Sequence, residues 1–106
     1  MRYTILRMVT VRRLIWDPGN VAHIARHDVT PEEVTDLCRG DFLTRDAHHG
    51  RIIVFGPTSR GRMLAAILDP EPEQGAYYPV SARPASRQER KRYQEADQEA
   101  KRGEQT

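Results

Sequence analysis

Tyr78-Pro79-Val80-Ser81-Ala82-Arg83-Pro84-Ala85-Ser86-Arg87-Gln88-Glu89-Arg90-Lys91-Arg92-Tyr93 is the stretch that decides the fold. It reads as a strand that delivers an arginine to its end, followed by a capped and strongly basic helix. Ser86 and Glu89 have the spacing of a capping box, in which each side chain accepts a hydrogen bond from the other residue's amide. That pair fixes the helix start. It puts Arg83 at a strand-to-helix corner, beside free amides and the positive end of the helix dipole, which suits a phosphate. Pro79 cannot donate to a ladder, so the sequence predicts a bulge there or an outward-facing nitrogen.

Upstream, caps and turns divide the chain. Asp17-Pro18 predicts a short helix over about Pro18 to Arg26, with Val21, Ile24 and Ala25 facing inward. His27 and Asp28 end it, and aspartate tolerates the left-handed conformation such an end often needs. Thr30-Pro31-Glu32-Glu33 is a second capping box with proline at the first helical position. It predicts a helix over 31–39 with Val34, Leu37 and Cys38 inward, a Val29–Val34 staple and a stop at Gly40. Three strands follow, at Asp41 to Asp46, Arg51 to Phe55 and Met63 to Leu68, with turns at 47–50 and 56–61. A loop over 69–75 leads to the last strand, Ala76 to Arg83. Leu14-Ile15-Trp16 is a short strand, and residues 1–13 read as an arm or an edge strand. The final helix runs from Arg87 to about Arg102, docked through Tyr93 and fraying beyond. The order predicts an α+β domain with helices on one side of a small antiparallel sheet. Two N-terminal helices pack on one face and a C-terminal helix closes the chain.

A length of 106 residues bounds the chain to one domain with a modest core. No stretch reaches the roughly 20 apolar residues of a membrane span. Met1 to Val11 lacks the apolar run and cleavage site of a signal peptide, so the expected location is cytoplasmic. The single Cys38 fits a reducing compartment and a packing role. The net charge of +2 hides an asymmetry: residues 1–16 carry +4, residues 17–49 carry −4, residues 50–79 balance and residues 80–106 carry +2. Basic ends around an acidic middle allow a polyanion to dock on one side. The competing structural role for those charges is a solvated surface with i, i+4 pairs.

Trp16-Asp17-Pro18, Arg26-His27-Asp28-Val29 and Pro31-Glu32-Glu33 resemble the amino-terminal block of the BrnT toxin family. Gly61-Arg62-Met63-Leu64 resembles its Gly-Arg before a hydrophobic strand, and Ser81-Ala82-Arg83 with Ala85, Glu89 and Tyr93 resembles its closing block. Asn20 and Asp28 stand where that family commonly has lysine and glycine, and the segment from Trp16 to His27 is one residue shorter than its usual pattern. The resemblance covers most of residues 15–95, so residues 14–95 read as the toxin-like domain and 96–106 as a mixed-charge tail. It implies a RelE/ParE-like fold and the toxin of a type II toxin–antitoxin pair. The implied activity is a metal-independent endoribonuclease without cofactor. The implied partners are RNA and a ribbon-helix-helix type antitoxin, with a homo-oligomer compatible with that complex. The alternative on the same fold is a non-catalytic binding module for protein or nucleic acid.

Metal-independent RNA cleavage needs a group to take the 2′-hydroxyl proton, a cation for the phosphate charge and a proton donor for the leaving oxygen. Arginine suits the second role through its planar fork. Arg62 and Arg83 open and close neighbouring strands, so they are expected to converge on one sheet edge; the competing role is pairing with Glu71 and Glu73. Arg60, Arg87 and Arg90 are the expected substrate-binding arginines. His27 is the acid–base candidate because histidine titrates near neutrality, with helix capping as its structural alternative. Tyr93 either positions a proton donor or packs. Trp16 either stacks on a base or packs in the core. His48 and His49 sit at a hairpin tip. His23 and His27 share a helix face but lack a third ligand, so no metal is expected.

Overall fold

The computed structural model describes residues 9–104. The part of the N-terminal arm that falls on residues 1–8 lies outside the described residues. Within the rest, the chain runs through β1 (Arg13–Leu14), α1 (Pro18–Ala25), α2 (Pro31–Arg39), β2 (Leu43–Asp46), β3 (Ile52–Pro57), β4 (Met63–Pro70), β5 (Ala76–Pro84) and α3 (Arg87–Glu104). The class is α+β, with one five-stranded sheet in the order β1-β5-β4-β3-β2.

The sheet is mixed, which corrects the all-antiparallel expectation. Strands β2 to β5 form the antiparallel meander, but β1 joins β5 in parallel, Arg13 opposite Ala76 and Leu14 opposite Tyr77. Parallel pairing needs a long crossover, and the two helices and three strands between β1 and β5 supply it. The short strand is also shifted: Ile15 lies past it and donates its amide to the Tyr77 carbonyl at 2.9 Å. Between Ile67 and Leu68 the β4–β5 register slips, leaving Val80 without an opposite residue beside Pro79. The Tyr77 carbonyl faces β1, so the nitrogen of Pro79, two residues on, also points away from β4. The bulge expected at the proline is met, and Pro79 itself is buried.

Side chains alternate across β3 and β4. Val54, Leu64, Ala66 and Leu68 pack with Ile24 of α1 and Leu37 of α2, whereas Ile53, Phe55 and Ala65 pack with Tyr93 and Ala96 of α3. Helices therefore cover both faces of the sheet, not one. A strand covered on both sides reads as a continuous apolar run, as Ile52-Ile53-Val54-Phe55 does. Strand β3 continues through Gly56, expected in a turn. A Cβ at Gly56 would lie 2.8 Å from the Asp41 carbonyl oxygen, so only glycine lets the chain leaving α2 cross so closely.

The helix starts form as their sequences dictate. Asp17 accepts from the Asn20 amide at 2.8 Å, and the Asn20 side chain accepts from the Asp17 amide at 2.9 Å. Buried Asn20 also donates to the Ile15 carbonyl at 3.0 Å, tying α1 to β1. Ala25, expected inward, is exposed, because the last turn of this short helix passes the edge of the core. Asp28 has a φ of 61°, the left-handed stop its residue type allows. At α2, Thr30 accepts from the Glu33 amide at 3.2 Å and Glu33 accepts from the Thr30 amide at 3.1 Å. Thr30→Ala is expected to lower the denaturant midpoint by an amount equivalent to about 1 kcal/mol. An unchanged midpoint would count against the cap. Helix α3 runs unbroken to Glu104, with Ala96 buried and Ala100 exposed.

Candidate functional site

Glu89 is the most tightly held charged group among the described residues. Its side chain is only 3% exposed, yet it carries a full set of donors. The Arg83 guanidinium grips it in a two-point fork, Nη1 to Oε1 at 2.8 Å and Nη2 to Oε2 at 3.0 Å. Arg45, reaching from edge strand β2, donates to Oε2 at 2.9 Å, and the Ser86 amide donates to Oε1 at 2.8 Å. Ser86 in turn accepts from the Glu89 amide at 3.1 Å, completing the capping box. Burial works to raise the carboxyl pKa, but the bonds from Arg83, Ser86 and Arg45 together outweigh it and bring it down to about 2. The carboxylate is thus permanently ionised near neutral pH and joins α3 to two strands of the sheet.

This geometry corrects the phosphate expectation at the corner. The site expected to take an oxyanion, an arginine fork beside helix amides, is already filled by the carboxylate of Glu89. What stays open is the outer side of the clamp. Arg83 and Arg45 keep 33% and 43% of their side-chain surface in water. Arg87 and Arg90 are exposed on the first turns of α3, Arg90 also donating to the Ala85 carbonyl at 2.9 Å. Two guanidinium groups, those of Arg83 and Arg45, therefore hold the buried carboxylate, and Arg87 and Arg90 lie exposed on the adjoining turns of α3.

Arg62 does not join this cluster. Its Nη1 donates to both oxygens of Glu33, at 3.0 and 2.8 Å, and to the Asp28 carbonyl at 2.7 Å. Arg62 serves α2 while Arg83, opposite Ala65, serves α3, so the two point to opposite faces of the sheet and their expected convergence is not met. Neither pairs with Glu71 or Glu73. Arg60 lies in an open cleft of about 610 Å³ with Arg62 and the four carboxylates of Asp28, Glu32, Glu33 and Asp36. That excess of acid disfavours phosphate, so Arg60 and Arg62 are poor substrate-binding residues.

His27 is exposed, its ring packed edge-on against His23 at 5.6 Å. It precedes Asp28, whose carbonyl accepts from Arg62. His23 contacts the Ser81 hydroxyl at 3.2 Å. Tyr93 is half-buried and donates to the Asp41 carbonyl at 3.2 Å. Burial, then the charges of Asp41 and Asp97, push its phenol up, so it stays protonated and is no base near neutral pH. His48 and His49 lie on an exposed turn, His49 with a φ of 63°. No three metal-ligating side chains cluster among the described residues.

The sequence reading missed Arg45 and Asn20. Arg45 carried a usable signal: it stands two residues from buried Leu43 on the same side of an edge strand, so a charge aimed at α3 needs a carboxylate there. Comparison of the chain with protein-family models, curated proteins and solved structures finds no match in any of the three.

Proposed function

We propose that this chain is the toxin-type member of a type II toxin–antitoxin pair, on a RelE/ParE-like fold, and that it engages RNA through the arginine surface at the start of α3. The observation that carries the RNA reading is the partly exposed guanidinium groups of Arg83 and Arg45, fixed on buried Glu89, with Arg87 and Arg90 exposed on the adjoining turns of α3. Fixed, partly exposed arginines contact phosphates without paying much further side-chain order. The toxin reading rests on the resemblance of the Trp16-Asp17, Gly61-Arg62 and Ser81-to-Tyr93 blocks, in their order, to the BrnT family. An acidic antitoxin segment competing for the same arginines is the natural inhibitor.

Binding without cleavage is the form of this activity that the side chains favour. Glu89 is too acidic and too buried to take a proton, Tyr93 stays protonated, and the ring contact of His27 is with His23. Ribonuclease action, which the resemblance implies, requires substrate to bring a proton acceptor to the arginines or to displace Glu89 from Arg83. Partner-free protein mixed with a labelled RNA in chelator separates these forms. The expected result is a retarded, intact RNA. Shortened RNA would establish the catalytic form, and no retardation at low salt would remove the RNA reading.

A further inference from the structure

A second surface carries a different chemistry. Between β1 and α2, cavities of about 310 and 340 Å³ share Trp16, Thr35 and Arg39 and form one groove. Their size is in the range of small-ligand sites. Trp16 is half-buried: it packs on the core under α1 and α2 and lines both cavities. Arg12 and Arg39 are exposed along the groove, and neither is in an ion pair among the described residues. The stem of Arg12 is seated on Gly75, where a Cβ would meet its Cγ at 2.8 Å, so the approach of this arginine is fixed. Arg13 is already paired with Glu73 at 2.9 Å.

The acidic residues of the groove decide what fits it. Asp36 is occupied, accepting from the Ser59 amide and hydroxyl at 2.8 Å each. Glu32 is exposed beside Trp16 with no such partner among the described residues. A free carboxylate next to the indole repels an acidic peptide. It also offers an acceptor to the amino edge of a base, the pairing that cytosine N4 makes with glutamate. An aromatic face with flanking arginines is the arrangement that stacks an unpaired base and holds its phosphate. We infer that the Trp16 groove binds single-stranded nucleic acid, stacking one base on the indole, placing phosphate on Arg12 and Arg39, and favouring a base with an exocyclic amino group through Glu32.

Trp16 is the only tryptophan in the chain, so its emission reports this groove directly. It also lies on the face away from α3, so the groove and the α3 arginines can fail separately. The probes are eight-nucleotide oligocytidylate and oligouridylate, titrated at low salt. Oligocytidylate should quench the emission saturably, more tightly than oligouridylate, and added salt should weaken it. Arg39→Ala should weaken quenching about fivefold, and Glu32→Gln should reduce the cytosine preference. Trp16→Phe, read by anisotropy of a labelled oligocytidylate, should lose about tenfold in affinity. Unchanged emission at saturating oligonucleotide would overturn the inference. So would quenching indifferent to Arg39→Ala, or stronger quenching by a glutamate-rich peptide than by oligocytidylate.

Discussion

Arg83→Ala should lower the unfolding free energy by about 3 kcal/mol, because breaking a buried ion pair leaves an uncompensated charge. For a domain of this size that is a fall in Tm of about 10–20 °C. Glu89 is nearly sealed from water and takes two of its hydrogen bonds from Arg83. With Arg83 gone, only Arg45 and the Ser86 amide still hold the carboxylate. Glu89→Gln should cost less, since the two arginines it releases are each about a third exposed or more and can rehydrate. The double variant Arg83→Ala/Glu89→Gln should be more stable than the sum of the two losses predicts, with a coupling above about 1 kcal/mol. Additive losses would show that the pair does not act as a unit. The phosphate reading of this corner expects Arg83→Ala to remove activity and spare the fold. The clamp makes those effects inseparable at Arg83, so activity is better tested at Arg87 and Arg90.

Acid should unfold the protein through the same residue. The Glu89 carboxyl sits at about 2 in the folded chain against an ordinary value of 4.5. Its folded pKa is depressed, so the folded state binds fewer protons than the unfolded state below neutrality. Its contribution is complete above about pH 4.5 and is lost as pH falls through about 2. The shift corresponds to a loss on the order of 3 kcal/mol across that window. Asp17 and Asp36 are depressed in the same direction, chiefly by hydrogen bonds from Asn20 and Ser59 against a smaller opposing effect of burial; at Glu33 burial is the largest effect and raises the pKa, but the bonds from Arg62 and Thr30 together outweigh it. They add to the same acid limb. Chemical denaturation between pH 6 and pH 2.5 measures the slope. Glu89→Gln should flatten it visibly, and an unchanged slope would assign the acid loss elsewhere.

Local chemistry was legible wherever both partners lie within a few residues. The Thr30 and Ser86 boxes, the Asp28 stop and the disturbance at Pro79 each follow from a short stretch of chain, and each forms as read. Strands β2 to β5 and the three helices fall close to their expected positions for the same reason. Long-range pairings were not legible. Arg45 lies 44 residues from Glu89 and Arg62 lies 29 from Glu33, so nothing local ties either arginine to its carboxylate. The parallel β1–β5 contact is two residues long and carries no periodicity of its own. Placement of α3 on the opposite face depends on Ala96 and Tyr93, too few apolar positions to reveal a side. The site expectation erred through one identifiable step. It treated the corner at Arg83 as vacant, although the glutamate that caps the helix is itself an anion of the right shape.

The salt dependence of RNA affinity reports whether Arg87 and Arg90 contact phosphates. If Arg87 and Arg90 contact phosphates beside the Glu89 clamp, each contact releases counterions. The slope of log affinity against log salt should then become shallower by about 0.7 for each one lost. Comparing the full chain with its Arg87→Ala/Arg90→Ala variant, the slope should differ by about 1.4, with the fold unchanged by circular dichroism. Equal slopes for the two proteins would show that Arg87 and Arg90 hold no phosphate.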